Sequence, residues 1–247
     1  MDRPSVAARV RELIAEGADW IDCGAESTRP GADPVPADEQ IRRLQPVFDL
    51  VADVADRVIF SVDTTRAAVA SAAFDAGFEL VNDVSAGRDD AELLPLAGRR
   101  GRGVVLMHMQ GTPRTMQEAP KYRDVVREVS AFLRERLSAA ERAGVPPSAI
   151  FLDPGIGFGK TASHNLELLN RLTEIVQIGR PTLVGTSRKR FIGQVTGVAE
   201  PDRRGYGTAA TVAWAVSCGA SAVRVHDVAE MAQVVRMTTA IMNPSML

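Results

Sequence analysis

The amino-acid sequence predicts a parallel α/β fold, and three observations predict it. Short apolar runs alternate with longer amphipathic ones along the whole chain. A group of polar residues or glycines follows each short run. The length, 247 residues, is close to the roughly 250 of one barrel of eight strand–helix units. Strands alternating with helices imply a parallel sheet, because parallel neighbours need a long crossover between them. No repeat, low-complexity tract or linker divides the sequence, so a single domain over residues 1–247 is expected.

The chain opens in a helix-like segment, Pro4–Glu16. Seven strand candidates follow: Trp20–Cys23, Val58–Val62, Glu79–Asn82, Val104–Met107, Ile150–Leu152, Thr182–Val184 and Ala222–Val225. Most are bounded by Gly, Asp or Pro and several are rich in Val and Ile, which suits strands buried on both faces. The segments between them have helical patterning. In Tyr122–Ala143, for example, Val125, Val129, Phe132, Leu133 and Leu137 mark one face. Thr112–Lys121 is polar, carries two prolines and is expected to be a mobile loop. A closed barrel needs eight strands, so the expectation is an incomplete barrel lacking its first strand.

Composition narrows the function. A hydrophobic fraction of 45% is ordinary for a globular protein. The formal charge of −2 gives no reason to expect nucleic acid or a membrane surface as partner. The two cysteines, Cys23 and Cys218, sit in apolar runs and read as small buried side chains in a reducing compartment. They form no cluster with metal-ligand spacing. No signal peptide and no run of about 18 apolar residues is present. These features together predict a cytoplasmic protein.

The polar groups are Asp22–Gly31, Asp63–Arg66, Asn82–Ser85, His108–Gln110, Asp153–Lys160, Ser187–Arg190 and His226–Asp227. In parallel α/β folds ligands bind at the carboxyl ends of the strands, so these groups are expected to share one rim. Helix capping competes at single positions such as Asp63–Thr64 and Asp227. It does not account for Arg188–Lys189, for Arg224 with His226, or for the glycine-rich loop. Cations at the start of a helix oppose its dipole, so Ser187–Arg190 points to an anion or an electron-rich ring nearby. Arg224 and His226 are two apart on the last strand candidate and so share a face; with an arginine fork they suit a diphosphate. Asp63, Asn82 and Asp153 end or follow apolar runs, where an acceptor is costly unless paired. A ligand with several ring N–H and NH₂ donors would satisfy them, and so would capping or pairing with Lys189. The loop Asp153–Lys160 matches neither the P-loop nor the dinucleotide fingerprint. Its Phe158, set among glycines, is a candidate stacking surface.

Six segments, in order and over nearly the whole chain, closely resemble the signature segments of dihydropteroate synthases. They are Glu26–Gly31, Ser61–Thr64, Asn82–Val84, Asp153–Lys160, Ser187–Lys189 and Arg224–Asp227. The resemblance implies a TIM barrel. It implies condensation of 6-hydroxymethyl-7,8-dihydropterin diphosphate with p-aminobenzoate, giving dihydropteroate and diphosphate. It assigns Asp63, Asn82, Asp153 and Lys189 to the pterin, with Arg224 flanking the ring. Arg224 and His226 are assigned to the diphosphate, and Asp22 to orienting the site. The loop carrying Thr28, Arg29 and Pro30 is implied to close over p-aminobenzoate, with Phe158 and Lys189 lining that pocket. The catalytic set is thus Lys189, Arg224, His226 and Asp63. Mg²⁺ with the diphosphate and a homodimer are also implied, while His108 is expected in a supporting role.

Two departures stand out. The family's opening strand, with its Asn-Val-Thr-Pro-Asp-Ser-Phe-like segment and metal-contacting asparagine, is absent from this sequence. Arg190 stands where many relatives carry Ser beside the lysine, and is expected to alter the surroundings of the p-aminobenzoate carboxylate. Two other readings compete. An inactive paralogue or fragment would bind pterin or phosphate without turnover. A pterin-dependent methyltransferase domain would share the barrel and the pterin acceptors, but has no need of the Ser-Thr-Arg-Pro-Gly loop or the diphosphate clamp.

Overall fold

In a computed structural model, residues 3–27 and 33–246 are described, Met246 by its backbone alone. Seven strands lie among the described residues, each on one of the seven apolar runs. The chain divides into two compact units, residues 1–107 with 135–151 and residues 108–134 with 152–247.

The first unit runs α1 (Arg3–Glu16), β1 (Trp20–Gly24), α2 (Ala37–Val54), β2 (Ile59–Asp63), α3 (Ala67–Asp75), β3 (Leu80–Asp83), α4 (Leu93–Arg99) and β4 (Gly103–Met107). Its strands pair in parallel and in sequence order, with Gly24 opposite Asp63 and Asp63 opposite Asn82. Sequential parallel pairing is what short crossover helices enforce. Every residue of β4 is buried, as a strand covered on both faces should be. Phe78 is fully buried between Phe48, edge-on at 5.5 Å, and Phe60, tilted at 5.5 Å.

Two elements pass from one unit into the other: α5 (Val125–Arg142) and β5 (Ile150–Asp153), which follows β4 in the sheet order. The second unit continues with α6 (Ala162–Asn170), α7 (Leu172–Val176), β6 (Leu183–Val184), α8 (Arg190–Thr196), α9 (Gly205–Ser217), β7 (Ala222–Val223) and α10 (Val228–Met242). Leu152 bridges Thr182 in parallel, and β6 pairs β7 in parallel. The expected helix Tyr122–Ala143 begins instead at Val125. Asp124 Oδ1 accepts from Val126 N at 3.1 Å and Arg127 N at 3.0 Å, and Glu128 Oε1 accepts from Arg123 N at 2.7 Å. Such reciprocal capping sets where a helix starts. The segment 112–121 is closed at its base by the Gln110 amide, which donates to Lys121 O at 3.0 Å and accepts from Lys121 N at 3.1 Å.

Candidate active site

The first unit gathers acceptors at the ends of its strands. The Asp22 carboxylate accepts from the Ser61 hydroxyl and, at 2.9 Å, from Asn82 Nδ2. Asn82 is 7% exposed, so its amide needs this partner. With Nδ2 given to Asp22, the amide oxygen is what Asn82 can offer a donor. Asp63 sits in register beside Asn82, half-buried. Gly24 lies on its other side, where a Cβ would come within 3.2 Å of Asp63 Cβ. Thr64, next in sequence, is not the N-cap of α3, which is Arg66, though its hydroxyl oxygen accepts from Arg66 N at 3.2 Å. Its hydroxyl donates to Gln40 Oε1 at 3.0 Å, and the fully buried Gln40 amide donates to Glu26 Oε2 at 2.8 Å and to Val35 O at 2.9 Å.

The second unit centres on Asp153 and the glycine-rich loop. Asp153 is 8% exposed. Burial pushes its carboxyl above the usual range, opposed by Lys189, by the Gly155 N–H, by Lys160 and by Arg224. Gly155 N donates to Asp153 Oδ1 at 2.6 Å, which ties the loop to the strand end. Burial lowers the Lys189 ammonium to about 8, against the pull of Asp153 and with the push of Arg224. The same ammonium donates to Ile156 O and lies 4.9 Å from the centre of the Phe158 ring. A Cβ on Gly185 would sit 3.7 Å from Arg224 Cβ and 3.8 Å from Lys189 Nζ, so Gly185 lies between the two cations. His226 Nδ1 is 2.9 Å from the Ser187 hydroxyl, which sets the ring's orientation. A buried carboxyl drawn toward its charged form by neighbouring cations can accept from ring donors, while the cations meet an anionic tail.

Arg188 turns to two carboxylates, so the expectation of an anion or electron-rich ring beside Ser187–Arg190 does not extend to it. Its φ of 60° is left-handed, unusual for a residue with a side chain. Arg188 N donates to Thr208 Oγ1 at 3.2 Å, its carbonyl accepts from Arg204 at 2.8 Å, and its guanidinium forks onto Asp227 and also reaches Asp202. Those contacts hold the strained turn that sends Arg188 and Lys189 to different partners. Asp227 occupies the N-cap position of α10 but makes no side-chain cap; it pairs with Arg188. Arg190 is exposed at the first position of α8.

The structure therefore brings Asp22, Asp63 and Asn82 together in one unit, and Asp153, Phe158, Lys189, Arg224 and His226 together in the other. Arg224 and His226 lie just past β7, which ends at Val223, rather than on it; the backbone ladder still reaches Arg224 N, which donates to Val184 O at 3.0 Å. Thr28, Arg29 and Pro30 lie outside the described residues. Sequence reasoning gave no role to Lys160, Ser187 or Gln40. Ser187 was detectable as the hydroxyl two places before the lysine, whereas Gln40 sits in an ordinary helical pattern and carried no signal. Among the described residues no three His, Cys, Asp or Glu side chains group to hold a metal. These residues do not fit a protein-made cage for Mg²⁺.

Comparison with known proteins finds relatives over most of the chain. The family of pterin binding enzymes matches residues 2–226. A dihydropteroate synthase of Synechocystis sp. is 41% identical over 238 residues, covering 96% of this chain and 82% of that protein. The crystal structure of the Thermus thermophilus dihydropteroate synthase in complex with 4-aminobenzoate is 47% identical, with a TM-score of 0.88 over 95% of this chain and 89% of that one. The same enzyme in complex with 6HMPPP gives 44% and 0.85, over 96% and 89%. The likeness shows the fold class expected from sequence, α/β of the TIM-barrel type.

Proposed function

This chain belongs to the pterin binding enzyme family, and on that premise we propose that it is a transferase making 7,8-dihydropteroate from a dihydropterin diphosphate and p-aminobenzoate. One observation carries the reading: Asp153 is buried at its strand end among the cations Lys189, Lys160 and Arg224. A ring rich in N–H donors with a polyanionic tail complements an acceptor set among cations. Asp63 and Asn82 are proposed as acceptors for ring donors, with Asp22 orienting the Asn82 amide, and Lys189 as the cation for the ring's electron-rich edge. Phe158 offers a stacking face for the aminobenzoate, and the exposed Arg190 is proposed to meet its carboxylate.

The chemistry follows from these roles. The bond between the pterin methylene and the diphosphate oxygen breaks, and negative charge grows on the leaving group. Arg224 and His226 meet that charge where it develops. The pterin carries the complementary positive charge, which Asp63 and Asp153 favour. The aniline nitrogen of p-aminobenzoate forms the new C–N bond as the C–O bond to diphosphate breaks, and its proton passes to the departing diphosphate or to solvent. No activated Ser or Cys is needed. Mg²⁺ belongs with the diphosphate substrate, since it commonly binds through one or two carboxylates plus phosphate oxygens.

Two coarser features accompany the reading. No helix among the described residues is long and apolar enough to cross a membrane, and both cysteines are free thiols, in keeping with a place in the cytoplasm. Trp214, Met237, Ile241 and Met242 expose apolar surface on α9 and α10, in keeping with a homodimer. The test is direct. The protein, pterin diphosphate, labelled p-aminobenzoate and Mg²⁺ are mixed and labelled dihydropteroate is sought. Pterin binding without product, under conditions where a known synthase turns over, would favour the inactive-binder reading instead.

A further inference from the structure

One buried charge has no part in that chemistry. Lys160 is 3% exposed. Its ammonium lies 2.9 Å from His108 Nδ1 and donates to His108 O at 3.3 Å, Gly155 O at 3.0 Å and Phe158 O at 3.0 Å. The lysine ends the loop whose carbonyls it draws inward. In fact each carbonyl from 155 to 159 accepts from a side chain: Gly155 and Phe158 from Lys160, Ile156 from Lys189, Gly157 from Gln117 at 2.8 Å, and Gly159 from the Tyr122 hydroxyl at 2.8 Å. Among the described residues only Lys160 takes two of them, and it does so from the end of the loop itself.

We infer that Lys160 is a positioning residue. Its ammonium, seated on the His108 imidazole, sets the curvature of the Gly155–Gly159 loop and hence the places of the Phe158 ring and the Ile156 carbonyl that hold Lys189. A protonated Lys160 makes His108 Nδ1 an acceptor, with the imidazole proton on Nε2. The ring is packed edge-on against Phe132, 4.9 Å between centres, so it is a fixed seat. Charge-assisted hydrogen bonds are about twice as strong as neutral ones, so losing the Lys160 proton weakens the hold on both carbonyls at once. Burial lowers this ammonium to about 7; Asp153 works against that and Lys189 adds to it. The titratable groups facing it are His108 after β4, Asp153 at the end of β5 and Lys189 after β6. The loop therefore loosens as pH rises through neutrality, and the aromatic amine loses its stacking surface.

The kinetic part rests on the proposed transferase reaction. Lys160→Met keeps the chain length and removes the charge. In the full chain it is expected to raise the KM for p-aminobenzoate about tenfold with kcat within about threefold, the pattern of lost binding rather than lost chemistry. Wild-type KM is expected to rise between pH 6 and 7.5, below the range in which Lys189 loses its proton, and the variant's to stay flat there. A KM within twofold of wild type, or the same pH-dependent rise in the variant, overturns the inference. Amide hydrogen exchange on the ligand-free wild type provides a second arm that needs neither turnover nor a folded variant. Protection at 155–159, corrected for intrinsic rates, should fall over the same pH range, and pH-invariant protection overturns the inference. Failure of the wild type to make dihydropteroate would sink the transferase reading and leave the exchange result to decide the role of Lys160.

Discussion

Burial withdraws water from the Lys189 ammonium and Arg224 repels it, while Asp153 pulls the other way; the balance is a value of about 8 instead of 10.5. The sign of the consequence is fixed. Below about pH 8 the ligand-free chain keeps the proton, and above it the charge that meets the pterin diphosphate is lost. Affinity for pterin diphosphate is therefore expected to weaken as pH rises from 7 to 9. Lys189→Met should bind about tenfold to a hundredfold more weakly at pH 7, the cost of one hydrogen bond to a charged group, and should lose that pH dependence. Calorimetric titration of both proteins at the two pH values checks this. A variant that binds as wild type does, or keeps its pH response, would remove Lys189 from the site. By charge alone Arg188 and Lys189 are alike, two cations in one run, and only the family resemblance set Lys189 apart. What separates them is a φ of 60° at Arg188 together with two carboxylates, Asp227 and Asp202, brought to it from beyond β7 and from before α9. Neither is a local property, so neither could be read from the run itself.

At the scale of elements, the strands were legible and the loops were not. β4 is apolar from Val104 to Met107 and buried throughout, so its pattern has one reading. β7 is two residues long and half-buried, so the run Ala222–Val225 overstated it. The glycine-rich loop was legible as an unusual segment, but its geometry is set by donors from Gln117, Tyr122, Lys160 and Lys189, which no spacing rule connects. Gly157 tests that geometry. Its φ is 85°, and a Cβ there would stand 3.0 Å from Lys189 Cδ. Gly179 has a φ of 89° and nothing within 4 Å of its would-be Cβ. Alanine at either position meets backbone strain of about 1 kcal/mol or more, so both variants should melt lower by similar amounts. Only Gly157→Ala displaces Lys189, and only it should raise the KM for both substrates. Equal kinetics in the two variants would mean that the loop's close approach to Lys189 has no bearing on function.

For the whole molecule, the formal charge of −2 hides a local excess of the other sign. The ammonium groups of Lys160 and Lys189 are both lowered by burial, and each is pushed by a neighbouring cation, Lys160 by Lys189 and Lys189 by Arg224. Buried charge of one sign is a standing cost to the folded state, and an anion that binds there relieves it. The stabilisation a ligand provides follows mass action, about 2.7 kcal/mol at a hundred times its Kd. For a chain of this size that is a rise in Tm of roughly 5–10 °C. Pterin diphosphate is therefore expected to raise Tm well above the rise given by the same pterin without its diphosphate, at equal concentration and pH 7. The gap between them should narrow at pH 9, where both lysines have lost protons and there is less positive charge to relieve. A thermal scan with each ligand at the two pH values decides it. Equal shifts at pH 7 would mean that the cations of the second unit are satisfied within the protein, and that the diphosphate has no site among Lys189, Arg224 and His226.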